Sequence, residues 1–403
     1  MSQIYRNVAG QGVPPKETIL IRGARQLIRL VGPAGPRRGA ALNDLSLIPD
    51  GALLVRDGRI DQAGTTRRVE NLRAARNARE INAAGRVVMP GFVDNRAQLW
   101  PKSAYPAAVG PIRSGRLLAD SARKVLAGMA RHGTTTLCAV TGSAPGQVSE
   151  IKLLRVLAGL QGKPLDVCSA YVDGATGDLT SRIESLCAEV MPLISRRKLA
   201  RFAVANCAVL EPWDTRRFLA CARRLGFRLR VCAARCPTAI RLALEMDAES
   251  VVVGGVPEEE IEALARSRTI GLLQPASDTV LLDRRRSARA LIESGAAVAL
   301  ASGFGLEDGP TYNMQMVISL ACSEMGFSPA EAVSAATINA AHALGYGEEC
   351  GSLEPGKRAD VIILNTDDYR DLSYRFGINH VHMVLKNGAV IYQEGKVEHC
   401  EAQ

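Results

Sequence analysis

The spacing of apolar residues along this 403-residue chain changes period in a regular order. Near the N-terminus, 18–22 and 26–31 alternate with period two and read as short strands. A Gly/Pro/Arg-rich loop covers 32–41. Residues 51–62, GALLVRDGRIDQ, read as a hairpin in which Asp57-Gly58 supplies the φ > 0 turn. From 91 to about 302, short apolar runs alternate with stretches of helical period. The strand candidates are 91–99, 133–140, 165–172, 201–207, 228–233, 250–253, 269–273 and 297–302, with clear helical period at 115–131 and 258–266. Eight β-runs with helical connections predict an α/β fold, a (β/α)8 TIM barrel. The alternative is an open doubly wound sheet, but no Gly-x-Gly-x-x-Gly follows a strand to support it. Helices are expected at 313–325 and 329–344, the second with Ser328 as N-cap and Pro329 at N1. Strands return at 359–364 and in MVLKNGAVIY, a hairpin turned by Asn387-Gly388. Neither end of the chain can cover a core alone, so the two sets of strands are expected to combine. The organisation that follows is a small composite β-sandwich from 1–88 and 351–403, beside a barrel with C-terminal helices at 89–350.

Composition narrows the function classes. Hydrophobic residues make up 47% of the chain, enough for a large core. The net charge of +9 admits an anionic partner. The basic residues are scattered, however, and aromatics are only 4%, which leaves no stacking platform and argues against nucleic acid. No apolar run approaches the ~18 residues of a membrane span. Residues 1–7 lack a signal-peptide core, so a cytoplasmic protein is expected. Ten cysteines at irregular spacings, without Cys-x-x-Cys, point to reduced thiols. Cys138, Cys168, Cys207 and Cys232 fall on predicted barrel strands. There a free thiol ordinarily serves as a small buried apolar group; a thiolate cluster or a nucleophilic Cys232 is the other reading. The five histidines are His132, His342, His380, His382 and His399, and none falls where a barrel strand ends. His380 and His382 share a strand face outside the barrel, which favours packing or a dimer contact over a metal.

The stretch at 88–100, VMPGFVDNRAQLW, carries a specific motif. With GSLEPGKRADVIIL at 351–364, FGINHVHMVLKNG at 376–388 and the helical run 312–345, it resembles the imidazolonepropionases of the amidohydrolase superfamily. Gly133-Thr134-Thr135-Thr136 and Gly226-Phe227 extend the likeness over essentially the whole chain. The resemblance implies metal-assisted hydrolysis of a cyclic amide, as in the ring opening of histidine degradation, and a homodimer. It also implies ligands that this sequence replaces. Arg96 and Gln98 stand at the two histidines of the first strand. Cys232 stands at the histidine of the fifth, with Arg235 in place of the following acid. Val252-Val253 replaces Asp-His on the sixth strand. Ala301-Ser302-Gly303 replaces Ala-Thr-Asp on the eighth. Thr141-Gly142-Ser143-Ala144 departs from a Ser-Gly-Tyr-Gly run, 172–176 lacks a substrate-contacting histidine, and the loop after the first strand is shortened.

The folding punctuation is thus kept while the implied ligands are not. The expectation is a metal-free, cofactor-free and non-catalytic relative acting as a structural, regulatory or small-anion-binding subunit. Arg96, Gln98, Cys232, Arg235 and Ser302 are the expected lining of an anion pocket at the barrel mouth. The competing reading pairs Arg96 with Asp94 on the same strand face and leaves Arg235 in solvent. A second function class is a diverged amidohydrolase that opens a cyclic amide such as imidazolone propionate without metal, through Cys232 and the arginines. The resemblance suggests as partner a second copy or an active amidohydrolase paralogue. Glu307 and Asp308-Gly309-Pro310 read as a loop.

Overall fold

The computed structural model describes residues 17–100, 114–141, 147–172, 179–208, 210–277, 284–305 and 309–395. The readings of Gly142, Ser143, Ala144, 173–176, Glu307, Asp308, His399 and the shortened loop lie outside them.

Strands β1 (Thr18–Leu27), β2 (Ile48–Arg56), β3 (Arg59–Thr65), β4 (Arg79–Asn82) and β5 (Val87–Pro90) precede the barrel. The barrel strands are β6 (Phe92–Ala97), β7 (Thr134–Val140), β8 (Asp166–Val172), β9 (Phe202–Asn206), β10 (Arg228–Cys232), β11 (Ser250–Val252), β12 (Ile270–Leu273) and β13 (Val298–Leu300). All eight lie within the predicted runs and pair in parallel in chain order, from β6 to β13. Strands buried on both faces favour apolar runs, which β9, β11, β12 and β13 largely supply, whereas β6 and β10 carry Asp94, Arg96 and Arg230. On β10, Leu229 and Val231 pack outward against the helices, while Cys232 joins Cys138, Phe202 and Val252 inside. The first and last strands meet at a seam where Gly303 N–H donates to Arg96 O at 2.9 Å and Gln98 N–H donates to Phe304 O at 2.8 Å. The sheet order follows the chain without reversing, as a barrel requires and a doubly wound sheet does not.

The remaining strands, with β14 (Val361–Leu364), β15 (Val381–Lys386) and β16 (Ala389–Gln393), form one mixed sheet, β16-β15-β14-β5-β1-β2-β3, with β4 on β1. Its ends curl together: Ala359 N–H donates to Gly58 O at 2.9 Å, and Gly388 N–H to Ala359 O at 3.0 Å. The inner face encloses Leu53, Val55, Ile363 and Leu385. Both predicted turns have the positive φ pairs they need, 52° and 75° at Asp57-Gly58 and 49° and 77° at Asn387-Gly388. The two N-terminal strands of the sequence reading are one strand with an irregularity between Ile21 and Ala24. This lets its first half pair with β4 and its end with β5.

Gly91 joins sheet to barrel, and a Cβ there would fall 2.3 Å from the Thr135 side chain. The predicted helix 329–344 is broken into Pro329–Ala336 and Ile338–Ala343. At the break, the Thr337 hydroxyl donates to Val333 O at 2.6 Å, and its backbone leaves the helical region at φ −126°, ψ −89°. Back-bonding by a β-hydroxyl bends helices in this way. The second piece supplies Ala340 and Ala341 to the barrel interior. Among the described residues, no helix is long and apolar enough to cross a membrane. His380 lies just before β15, its N–H held by Gln315 Oε1 at 2.9 Å, while His382 sits 3.2 Å from Glu394, just past the end of β16.

Candidate ligand site at the barrel mouth

Strand β6 ends at the face where barrel enzymes carry their chemistry. Asp94 is completely buried there. Its Oδ1 accepts from Ser302 N–H at 2.9 Å and Arg96 N–H at 3.2 Å, and its Oδ2 accepts from the Ser302 hydroxyl at 2.5 Å. Burial pushes the Asp94 carboxyl up to about 6, against these three hydrogen bonds, which pull it down.

The Arg96 guanidinium, 4% exposed, turns to other strands. Nη1 donates to Gln274 Oε1 at 2.9 Å, and Nη2 lies 3.4 Å from Cys232 Sγ. Gln274 follows the last residue of β12, and Cys232 ends β10. The side chains therefore converge from strand ends on three sides of the barrel. Two amide atoms there are buried without a hydrogen-bond partner, Gln98 Oε1 and Gln274 Nε2. The Gln274 amide also fills the space in front of Gly303, where a Cβ would fall 2.4 Å from Nε2.

Of the five sequence-predicted residues, Arg96, Gln98, Cys232 and Ser302 are buried at these strand ends. Arg235 lies in the exposed turn after β10. The contact Arg96 makes with Asp94 in the hydrogen bonds above is through its backbone N–H; its guanidinium meets Gln274 and Cys232. Gln274 was absent from the predicted lining. Only its position at a strand end could have flagged it.

A catalytic divalent ion needs several deprotonated oxygen, nitrogen or sulfur donors with open lone pairs. The described strand ends offer instead a guanidinium, two carboxamides, a thiol beside that guanidinium, and a hydroxyl committed to Asp94. Both Asp94 oxygens are themselves occupied by hydrogen bonds. Among the described residues, no three His, Cys, Asp or Glu side chains are grouped to share an ion. These side chains do not fit the metal that the fold's hydrolases use.

Comparison with known proteins agrees with this architecture. The profile of the Amidohydrolase family matches residues 219–391. An imidazolonepropionase of Symbiobacterium thermophilum is 35% identical, over 94% of this chain and 98% of that protein. One of Geobacillus kaustophilus is 32% identical, over 94% and 99%. Among solved structures, a triazine hydrolase variant superposes with a TM-score of 0.73 at 16% identity, over 94% of this chain and 95% of that one. Molinate hydrolase gives 0.68 at 19% identity, over 93% and 95%. At such identities the structural matches speak for the fold alone. The full-length sequence matches go further: the chain belongs to the amidohydrolase superfamily, in its imidazolonepropionase-like branch.

Proposed function

We propose that this protein is a non-hydrolytic, metal-independent amidohydrolase relative whose barrel mouth holds a small anion. In this reading it acts as a structural or regulatory subunit, paired with a second copy or with an active amidohydrolase. One observation carries the proposal: the buried Arg96 guanidinium, with Gln274 and Cys232, stands at the strand end where the family resemblance calls for a metal-binding histidine. A fixed cation there supplies the charge for a carboxylate or phosphate. Gln274 Nε2 is a buried donor and Gln98 Oε1 a buried acceptor without partners, which suits a ligand carrying both kinds of group.

The test is elemental analysis, turnover of imidazolone propionate with and without chelator, and thermal shift with acetate, formate and phosphate. The expected result is no stoichiometric metal, no turnover, and a midpoint raised by one of these anions in wild type but not in Arg96→Ala/Arg235→Ala. Stoichiometric divalent metal with chelator-sensitive turnover would sink the proposal. Turnover that survives chelator would replace it with a metal-free hydrolase.

A further inference from the structure

Deeper in the barrel, Arg230 projects inward from β10 and is completely buried. Its Nε donates to Ser250 Oγ at 2.8 Å, and Nη1 donates to Asn95 O at 2.7 Å. Nη1 also lies 3.5 Å from Cys138 Sγ, Nη2 lies 3.5 Å from Asn95 Oδ1, and the group stacks 4.8 Å from the Phe202 ring centre. None of these partners is a carboxylate. A guanidinium removed from water without a countercharge is strongly unfavourable. The one ionisable acid among the partners is the Cys138 thiol.

Cys138 has a second thiol beside it. Strands β7 and β8 pair in a register that sets Cys138 directly against Cys168, and both point into the barrel. Adjacent strands run about 4.8 Å apart, inside the Cα separation that a disulfide spans. The Cys168 thiol hydrogen-bonds to Cys138; this contact and the Arg230 charge outweigh burial and Asp94 and draw Cys138 down to about 7. Cys168, facing Cys138, Arg201 and Arg230, is held well above the ordinary thiol value by the same hydrogen bond and by burial. Burial, with neighbouring acidic groups, does the reverse elsewhere, pushing Cys207 up to about 12 and Cys322 up to about 11.

We propose that Cys138 and Cys168 are a redox-reactive pair inside the barrel, with Cys138 the thiolate countercharge of Arg230, a hydroperoxide the oxidant, and Cys168 the resolving thiol. The Cys138 sulfur attacks one peroxide oxygen. The O–O bond breaks, a sulfenic acid forms on Cys138, and the leaving hydroxide or alkoxide takes a proton from water, balancing the one Cys138 released on ionising. The Cys168 sulfur then attacks Cys138, the S–O bond breaks, and the departing hydroxide leaves as water with the Cys168 proton. The two thiols lose two electrons and the peroxide gains them. Cys138 is fully buried and Cys168 keeps 5% exposure, so the pair admits only an oxidant little larger than water. The disulfide leaves Arg230 without its countercharge, so the oxidised barrel is the less stable form. This site is separate from the mouth, and the proposal does not depend on what the mouth binds.

The test uses the full chain, reduced and then freed of reductant. Hydrogen peroxide should produce a Cys138–Cys168 disulfide in non-reducing peptide mass mapping, reversed by dithiothreitol, with a lower unfolding midpoint while oxidised. Cys168→Ser should stop at a dimedone-trapped sulfenic acid on Cys138. At neutral pH, Arg230→Met should react about tenfold more slowly, because the thiolate fraction falls with the loss of the cation, and Arg230→Lys should restore much of the rate. Because Arg230→Met removes buried contacts, the thiolate ultraviolet absorbance of the wild type against Cys138→Ser gives a second measure. A thiolate signal at neutral pH, absent from Cys138→Ser, supports the proposal. No difference between them, or peroxide oxidising the other cysteines while Cys138 and Cys168 stay reduced, overturns it.

Discussion

Ser302 covers both oxygens of Asp94 across the seam between the first and last barrel strands. Its N–H reaches Oδ1 at 2.9 Å and its hydroxyl reaches Oδ2 at 2.5 Å, between residues 208 apart in the chain. The aspartate of the Pro-Gly-Phe-Val-Asp motif therefore works here as a fastener. It gives the parallel sheet a side-chain closure where the described ladder between β6 and β13 is thin.

Ser302→Ala removes the hydroxyl and leaves Oδ2 of a fully buried carboxylate without that donor. Leaving a buried acceptor unsatisfied costs about 1–3 kcal/mol, with more expected when it is charged. The denaturant midpoint at pH 7 should fall accordingly with little change in slope. An unchanged midpoint would mean that Asp94 finds another donor and that the seam does not depend on Ser302.

Asp94 also sets a pH dependence. Its folded value of about 6 lies above the ordinary 3.8, so the fold favours the protonated form. The stability this confers is fully present below the unfolded value and is lost as pH rises through the folded one. The gap corresponds to about 3 kcal/mol at most. Asp94→Asn cannot ionise, so the stability difference between it and wild type should shift in the variant's favour between pH ~4 and ~6. Parallel urea curves across that window would show that Asp94 titrates normally in the fold.

The barrel is fastened to the sheet by a buried charge cluster. Lys386 Nζ on β15 lies 2.7 Å from Asp166 on β8 and 2.8 Å from Asp360, and Arg358 lies 2.8 Å from Asp166. Burial pushes the Asp166 carboxyl up, but Lys386 and Arg358 together outweigh it and hold it below its usual range. Lys386→Met removes a charged donor from both carboxylates but leaves Arg358 2.8 Å from Asp166 and 3.6 Å from Asp360, so it should cost about 1–3 kcal/mol at pH 7. A depressed carboxylate contributes stability above its unfolded value of ~3.9 that is lost as pH falls through the folded one. The wild type should therefore lose its advantage over Lys386→Met below pH ~4. A constant difference down to acid would show that the pair is not coupled to folding.

Strands such as β9, β12 and β13 were legible because burial on both faces favours apolar runs, and the hairpin turns were legible because positive φ restricts residue choice. Arg230 was not legible as a barrel-interior residue. In Arg228–Cys232 it reads as one more charge on a strand, and Asn95 and Cys138, which accept from it, lie 135 and 92 residues away. Gln274 was missed for the same reason, since its meaning comes from Arg96, 178 residues earlier. Helix periodicity ran through Thr337 because the apolar spacing continues there. The break is made by a hydroxyl that periodicity does not weigh.

Gly91 separates the structural meaning of the motif from its chemical one. A Cβ at this position would lie 2.3 Å from Thr135 Cγ2 and Oγ1 and 2.8 Å from its Cβ, so turning the threonine cannot clear it. Gly91 N–H also holds Asp360 O at 2.9 Å. Gly91→Ala should therefore destabilise by about 1–3 kcal/mol, as overpacking does, and Gly91→Ala/Thr135→Ala should recover part of the loss. If the double variant is no more stable than the single one, the conflict is with the backbone rather than with Thr135.

Arg96 distinguishes a residue kept for stability from one kept for a ligand. Its guanidinium is buried, and its contacts with Gln274 and Cys232 are to uncharged amide and thiol groups. Removing the guanidinium lifts its desolvation cost but leaves Gln274 Oε1 without its donor, a loss of about 1–3 kcal/mol. Methionine is the closest flexible apolar substitute. If the mouth binds an anion, Arg96→Met should lose no more than about 1–3 kcal/mol of stability in anion-free buffer and lose the rise that acetate, formate or phosphate produces. Gln274→Ala should weaken that rise without abolishing it, because the charge remains. A large drop in melting temperature for Arg96→Met in anion-free buffer, with the anion response intact in the folded fraction, would assign Arg96 to the scaffold and move any ligand site elsewhere.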